Sequence, residues 1–333
     1  MKIFISGIAG FLGSHLADKF INDGHHVVGC DNLIGGELDN VPPEAEFYQY
    51  DCCFRNSMLK ITKGCDLVYH TAATAYEGLS VFSPHLISQN IVTGSVSLFS
   101  AAIQNKVKRI IFCSSMARYG TNKVPFLEDY KPAPQDPYGI AKVASEDILK
   151  NLCEVHNTEY VIAVPHNIIG PRQKYDDPYR NVVSIMINLM LQNRQPIIYG
   201  DGNQKRCFSY VEDNIYCLKE MATNLNVVGE TINIGPDEEF ITINDLAEKI
   251  SNQLKFNLNP VYVKSRPQEV LKATCSADKA RKLLNYKTKT NLETGLKNMI
   301  SFISKKGVKK FRYHLDLEII NSHTPKTWKN KLF

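Results

Sequence analysis

The first thirty-one residues constrain the fold of this chain more than any other segment. Residues 2–6 (KIFIS) form an apolar, β-branched run, residues 7–13 (GIAGFLG) carry three glycines, and residues 14–24 have helical periodicity that ends in a glycine. A second apolar run, residues 25–31, ends in Asp31. A strand, a glycine turn, a helix and a second strand ending in an acid form the pattern of a dinucleotide-binding βαβ unit.

The residue types in this unit suit the parts of a dinucleotide. Glycines let the backbone approach a pyrophosphate, the helix N-terminus faces its negative charge, and an acid at the strand tip accepts ribose hydroxyls. Asp31 would repel a 2′-phosphate and no Arg follows it directly, so the sequence favours NAD over NADP. Asp51, at the end of residues 47–51 (FYQYD), is placed either to meet the adenine or to cap its own loop.

Strand-like and helical segments continue to alternate along the chain. Residues 65–73, 108–115 and 159–167 are strand-like, whereas residues 91–107 and 140–156 are helical. This alternation predicts an α/β fold, a Rossmann-type doubly wound parallel sheet. Ligands bind beyond the carboxyl ends of the strands in such sheets. The polar residues at these ends are His70, Ser114, Ser115 and Asn167.

The segment GPRQKYDDPYR (170–180) indicates a crossing into a second, smaller α/β domain for substrate binding. The expected division is residues 1–169 with about 206–235 for the NAD-binding domain, about 170–205 and 236–312 for the substrate-binding domain, and 313–333 for a C-terminal extension. We expect helices at 243–254 and 277–285, and we expect the extension to pack against the body or a neighbouring subunit.

Composition excludes several classes of function. The net charge of +5 is concentrated after Ser301, where the sequence has eight basic and only two acidic residues. The body of the protein is therefore not built to bind nucleic acid. No window reaches the ~18 uninterrupted apolar residues of a membrane span, and the apolar N-terminus is better explained as a strand than as a signal peptide. The nine cysteines lack metal-ligand spacing, which predicts reduced thiols, no metal site and a cytoplasmic location.

The pattern Tyr-x-x-x-Lys occurs twice, at Tyr119–Lys123 and at Tyr138–Lys142. A lysine lowers a phenol pKa only when it lies one helical turn away on the same face. The first pair runs through a turn, whereas the second follows Asp136-Pro137, a helix-start signal, and leads into a long helical pattern. We therefore select Tyr138 and Lys142.

With Ser115 and the three glycines, this pair resembles the extended short-chain dehydrogenases/reductases, in the NAD-dependent nucleotide-sugar epimerase/dehydratase branch. The likeness covers about residues 1–300 and is closest to the UDP-glucose/UDP-N-acetylglucosamine 4-epimerases. It continues through NIIGPRQ (167–173), IIYGDGNQKRCFSYVEDN (197–214), INIG (232–235) and RPQEV (266–270). The resemblance implies a nucleoside-diphosphate sugar substrate, a homodimer through helices 91–107 and 140–156, and a role in polysaccharide biosynthesis.

The resemblance also implies roles for individual residues. Ser115 would hydrogen-bond the reacting sugar hydroxyl, Tyr138 would remove its proton, and Lys142 would hold the nicotinamide ribose and depress the Tyr138 pKa. The implied cofactor-binding residues are Gly7, Gly10, Phe11, Leu12, Gly13, Asp31, Asn32, Asp51, Cys52, Thr71, Ala72, Ala73, Asn90, Ser114, Tyr138, Lys142 and Pro165. The implied substrate-binding residues are Ser115, Met116, Tyr138, Asn181, Val182 and Tyr199, with Asn167, Arg206 and Arg266 on the diphosphate, Glu269 on the ribose and Ala273 near the sugar C2.

The residues after Ser115 bear on the reaction. The 4,6-dehydratases of this family carry acids there, and the decarboxylases carry a Glu, whereas this chain has Met116 and Ala117. Neither side chain transfers protons, so reversible oxidation at C4, which is 4-epimerisation, is favoured. A small residue at position 273 leaves room for an N-acetyl group. Lys174 and Arg180 keep a UDP-uronic acid open as substrate.

Other functions of the same fold stay open as alternatives. They are a nucleotide-sugar dehydratase or reductase and, more remotely, a non-catalytic NAD-binding sensor. Four departures from the family pattern lie near the site. Ala75 stands where some hexose epimerases carry a cofactor-contacting Lys, Cys207 replaces an acid, His166 replaces an aromatic residue and is expected to be a packed core histidine, and Arg118 stands where an apolar residue is usual.

Overall fold

Seven parallel strands form the central sheet of the computed structural model, which describes residues 1–333. The strands of the chain are β1 (Lys2–Ser6), β2 (His26–Cys30), β3 (Glu46–Tyr48), β4 (Leu67–His70), β5 (Arg109–Cys113), β6 (Glu159–Pro165), β7 (Ile168–Ile169), β8 (Ile197–Tyr199), β9 (Lys205–Arg206), β10 (Ser209–Tyr210), β11 (Thr231–Ile234), β12 (Ile241–Thr242), β13 (Val261–Val263) and β14 (Lys272–Ala273). The central sheet has the order β3-β2-β1-β4-β5-β6-β11. This doubly wound arrangement confirms the predicted fold class, and its strand order reverses between β1 and β4.

Helices cover both faces of this sheet. The helices of the whole chain are α1 (Phe11–Asn22), α2 (Arg55–Ile61), α3 (Glu77–Ser80), α4 (Pro84–Ser88), α5 (Gly94–Gln104), α6 (Pro137–His156), α7 (Val182–Leu191), α8 (Val211–Glu220), α9 (Ile243–Leu254), α10 (Asp278–Leu284), α11 (Leu292–Lys306) and α12 (Lys326–Lys329). The predicted strands end earlier than expected, because their last polar residues leave the sheet: β4 ends at His70 and β5 at Cys113. The helix predicted at 91–107 begins at Pro84 instead, and α4 joins α5 through a π-helical turn at Gln89–Thr93.

Short sheets form the remainder of the protein. Strand β7 pairs with β10, β8 with β13, and β9 with both β12 and β14, while α7 packs against α9 and α11. These elements flank the cavity described below. The domain boundaries given above stay a prediction.

The helical stretch Pro84–Gln104 is long and apolar enough to cross a membrane by length and composition alone. Half of its most apolar window is buried inside the protein, where α5 packs against α2 and α6. A core helix passes the same test, and the packing of α5 is that of a core helix.

Candidate active site

One large cavity lies along the carboxyl ends of the central strands and has a volume of about 460 Å³. This volume falls within the ~300–1,000 Å³ typical of ligand pockets. Every residue expected to bind cofactor or substrate lines the cavity, except Ala273. The fold thus brings together residues that are far apart in the sequence.

The floor of the cavity is the glycine turn after β1. Gly7 has φ +74°, and a Cβ there would lie 2.8 Å from the Ala72 Cα. A Cβ on Gly13 would collide with the Gly7 carbonyl oxygen. Helix α1 begins at Phe11 without a side-chain cap, so its first-turn amides stay available. The turn therefore presents bare backbone and a positive helix end, which suit a phosphate.

Asp31 lies at the tip of β2, where the ribose acid is expected. Its carboxylate accepts hydrogen bonds from the Ala9 amide at 3.1 Å and the Leu33 amide at 2.8 Å. Burial raises the pKa of Asp31, and these amides oppose the rise. Asp51 lines the same end of the cavity and caps its own loop by accepting from the Cys53 amide at 2.7 Å. It also accepts from the Asn32 side chain at 2.8 Å.

The start of α6 holds the selected Tyr-Lys pair. Asp136 caps the helix, because its Oδ1 accepts from the Gly139 amide at 2.8 Å. Tyr138 and Lys142 then lie one turn apart, with the Lys142 Nζ 6.0 Å from the Tyr138 ring centroid. The Lys142 Nζ also donates to the Cys113 carbonyl at 2.8 Å, which ties α6 to the end of β5.

Burial shifts the pKa values of both side chains. It lowers the pKa of Lys142 to about 8. Burial also raises the pKa of Tyr138 above its usual value of about 10, and a hydrogen bond with Ser115 opposes the rise. These shifts move the two pKa values apart, and the groups that lower the pKa of Tyr138 are Ser115 and Arg180 rather than Lys142.

The rejected pair has a structural role instead. The Tyr119 hydroxyl donates to the Asn233 side chain at 2.7 Å, and its ring stacks on Phe126 with centroids 5.0 Å apart. Tyr119 is fully buried, whereas Lys123 is exposed. Only the second pair lines the cavity.

Arg118 forms a buried ion pair beneath the serines that follow β5. Its guanidinium makes three hydrogen bonds of 3.0–3.2 Å to the Glu146 carboxylate on α6, and Ser114 donates to the same carboxylate. Arg118 is 2% exposed and Glu146 is 0% exposed. Arg118 therefore fixes α6 to the loop that carries Ser115, which accounts for an arginine at a position where an apolar residue is usual.

Two arginines lie across the cavity from the catalytic set. Arg206 donates to the carbonyl oxygens of Val270 at 2.5 Å and Lys205 at 2.8 Å. Arg266 pairs with Glu269 at 2.8 Å and lies 4.6 Å from the Tyr199 ring centroid. The Arg266 Nε is buried without a partner, so this guanidinium has capacity left for a ligand.

Several expected substrate residues also have structural partners. The Asn167 amide donates to the Cys207 carbonyl at 2.7 Å, and the Asn181 side chain caps α7 by accepting from the Val183 amide at 3.0 Å. The Cys207 thiol donates to the Glu239 carbonyl at 3.0 Å, away from Arg206. His166 is buried and bonds to the Pro236 carbonyl at 2.9 Å, as expected for a core histidine.

The expectation for Ala273 was wrong. Strand β14 pairs with β9 so that Ala273 lies opposite Arg206, but its side chain is buried in an apolar cluster with Cys275 and Phe126. Side chains alternate faces along a strand, and position 273 falls on the core face. Its size therefore carries no information about an N-acetyl group.

Glu77 is the main cavity residue that the sequence did not reveal. It begins α3 and lines the cavity, and its carboxylate makes no hydrogen bond or ion pair within the protein. The surrounding protein raises its pKa to about 7 through desolvation and the nearby Asp136, although Arg206 and Arg266 oppose the rise. Glu77 also acts on the pKa of Tyr138, so it lies between the catalytic residues and the two arginines.

The C-terminal segment, residues 313–333, packs beside the cavity, which its last residue, Phe333, lines. On one side the Glu318 carboxylate accepts from the amides of His85 and Leu86 at 2.9 and 2.8 Å. On the other side the buried Trp328 indole donates to the Pro178 carbonyl at 3.1 Å. The segment packs against the body of its own chain, which is one of the two arrangements expected.

The cavity fits a dinucleotide. The Asn90 Nδ2 is buried without a protein partner and Asn90 lines the cavity, so this amide group can donate a hydrogen bond to a bound ligand. The glycine turn, Asp31 and the Tyr138–Lys142 pair all line this cavity. These residues match the pyrophosphate, ribose and nicotinamide ends of NAD.

Comparisons with known proteins agree with this site. The model of the "NAD dependent epimerase/dehydratase family" matches residues 3–235. A relative in Methanocaldococcus jannaschii, a "Putative UDP-glucose 4-epimerase", is 34% identical over 306 residues, which cover 90% of this chain and 98% of the relative.

Two solved structures extend the comparison. The UDP-glucose 4-epimerase of Thermotoga maritima, solved with UDP-glucose, superposes with a TM-score of 0.87 at 32% identity and covers 92% of this chain and 99% of its own. The UDP-glucuronic acid 4-epimerase of Bacillus cereus, solved with UDP-glucuronic acid and NAD, gives a TM-score of 0.85 at 29% identity over 92% and 100% of the two chains. NAD is thus the cofactor that the family and the cavity share.

Proposed function

Because the chain belongs to the NAD dependent epimerase/dehydratase family, we propose that it is a UDP-sugar 4-epimerase that interconverts neutral UDP-hexoses. The pairs in question are UDP-glucose with UDP-galactose and UDP-N-acetylglucosamine with UDP-N-acetylgalactosamine. The observation that carries the proposal is the placement of Ser115, Tyr138 and Lys142 opposite Arg206 and Arg266 in one cavity. The sugar would lie between them.

The residues of the chain account for the proton transfers at the sugar. Tyr138 takes the proton of the C4 hydroxyl while Ser115 holds that oxygen, and it returns the proton after the 4-keto sugar has turned over. Lys142 supports the phenolate by its charge. The NAD cofactor supplies the complementary chemistry, because it accepts the C4 hydride and returns it to the other face, so no cofactor is consumed.

Glu77 favours neutral sugars over uronic acids. A carboxylate in the space for the sugar would accept hydrogen bonds from hydroxyls and repel a second carboxylate. Lys174, which sequence reasoning left open as a uronate partner, is already engaged with Glu37 at 3.5 Å and Asp176 at 3.3 Å. With Lys174 engaged and Arg180 assigned below to the cofactor, the charge of Glu77 supports UDP-glucose-type substrates.

A homodimer and a cytoplasmic setting complete the proposal. Helix α6 exposes Ile140 and Val155, which are 55% and 63% exposed, and it packs beside α5. A second copy of these two helices would cover such residues. We propose polysaccharide biosynthesis as the process that uses the epimerised UDP-hexose.

One incubation tests the proposed function. Purified protein without added cofactor is incubated with UDP-glucose, UDP-N-acetylglucosamine or UDP-glucuronic acid, and the H4 signal of the sugar is followed by NMR. We expect conversion of a neutral sugar to its C4 epimer. A 6-deoxy-4-keto product would instead indicate elimination assisted by Glu77, and conversion of UDP-glucuronic acid alone would indicate a uronate epimerase. No conversion by NAD-loaded protein would support a sensor.

A further inference from the structure

Arg180 is a cationic side chain in the cavity that has no polar partner in the protein. It lies directly before the Asn181 cap of α7 and lines the cavity. Its guanidinium makes no hydrogen bond and no ion pair with any residue of the chain. By contrast, Arg206 and Arg266 are held by carbonyl groups and by Glu269.

The position of the Arg180 guanidinium is well defined. It lies over the Tyr76 ring, 5.0 Å from the centroid, and a Cβ on Gly35 would come within 3.0 Å of its Nη1. The Tyr76 hydroxyl donates to the Asp177 carboxylate at 2.8 Å, which fixes the ring. Arg180 therefore reaches across the cavity to the loop that follows Asp31.

The charge of Arg180 also reaches residues at both ends of the expected cofactor site. The charge of Arg180 acts on Asp31, at the ribose end, and on Tyr138, at the nicotinamide end. In a dinucleotide the group between these two ends is the pyrophosphate. The floor beneath it, at Gly7 and Gly10, is the anion-binding turn.

We propose that Arg180 binds the NAD pyrophosphate from the side opposite the glycine turn and so retains the cofactor between turnovers. A guanidinium matches two phosphate oxygens at once. This role does not depend on which sugar is the substrate.

The test measures cofactor release rather than turnover. Wild type, Arg180→Gln, Arg180→Lys and the control Arg312→Gln are loaded with NAD, and the bound NAD that exchanges with excess labelled NAD is followed by rapid filtration. Arg312 is a suitable control because its side chain is 76% exposed and lies only within 3.6 Å of Asp176, a residue of the segment that also contains Arg180. Circular dichroism verifies that each variant is folded.

We expect Arg180→Gln to release NAD about ten- to a hundredfold faster, as the loss of a charge-assisted hydrogen-bond pair predicts. Arg180→Lys should be intermediate and Arg312→Gln unchanged. Unchanged release from folded Arg180→Gln would overturn the proposal. If that variant kept NAD but bound UDP-glucuronic acid more weakly, Arg180 would belong to the sugar site instead. Because exchange needs no sugar, the result stands apart from the outcome of the epimerisation assay.

Discussion

Removal of Arg118 would leave a buried carboxylate without its partner. The side chains of Arg118 and Glu146 are 3% and 0% exposed, so water cannot replace the lost guanidinium. Breaking a buried pair from one side typically costs about 3–5 kcal/mol. We therefore expect Arg118→Met to lower the free energy of unfolding by that amount.

The same carboxylate provides a matched control. Lys150 approaches Glu146 at 3.9 Å from a side chain that is 37% exposed, so Lys150→Met should cost less than about 1 kcal/mol. In the double variant Arg118→Met/Glu146→Leu both charges of the buried pair are gone. Ser114 loses a partner, at about 1 kcal/mol, and Lys150 loses its weak, exposed contact with Glu146. The double variant should be more stable than Arg118→Met alone.

Equilibrium urea unfolding followed by fluorescence and circular dichroism compares the four proteins. The reasoning would be refuted if Arg118→Met were as mild as Lys150→Met, or if the double variant were less stable than Arg118→Met. Either result would mean that Glu146 is not held as a buried anion by Arg118.

Three further predictions concern the cavity. Tyr138→Phe should lower kcat by about 10²–10⁴-fold with UDP binding unchanged, as measured by steady-state rates and by calorimetry of UDP binding. A retained rate would show that Tyr138 does not transfer the proton. The side chain of Glu77 is exposed to the cavity, and desolvation by the surrounding protein together with the nearby Asp136 raises its pKa to about 7. Its negative charge therefore develops as pH rises through neutrality. UDP-glucuronic acid should then bind progressively more weakly than UDP-glucose, and competition assays with Glu77→Gln should show no such trend. Trp328 is only 2% exposed, so Trp328→Ala should lower the free energy of unfolding by about 3–5 kcal/mol and weaken UDP-sugar binding. Full stability of this variant in a thermal melt would show that the C-terminal segment does not support the cavity.

Local patterns made the cofactor half of the site predictable. The glycines, Asp31 and the capped start of α6 each depend on a few neighbouring residues, and strand-helix alternation then fixes which strand ends meet. Tyr138 and Lys142 could be chosen over Tyr119 and Lys123 for the same reason, because an N-cap followed by proline is a local signal.

Contacts between distant segments could not be predicted in this way. Arg118 finds Glu146 on α6, and Arg180 reaches Tyr76, about a hundred positions away, only after the chain has folded. Glu77 had no sequence signal beyond its place after the fourth strand. The prediction for Ala273 failed because the face on which a residue of the two-residue strand β14 lies depends on the pairing of that strand with β9. The local sequence of β14 does not encode this pairing.

The central claim is that a hydride leaves C4 and returns to the same carbon. UDP-glucose carrying deuterium at C4 tests it directly, in water and without added cofactor, with the products analysed by NMR and mass spectrometry. The account predicts UDP-galactose that retains deuterium at C4 and takes up no solvent hydrogen there. Loss of the label to solvent, or its appearance at C6 of a deoxy sugar, would contradict the account.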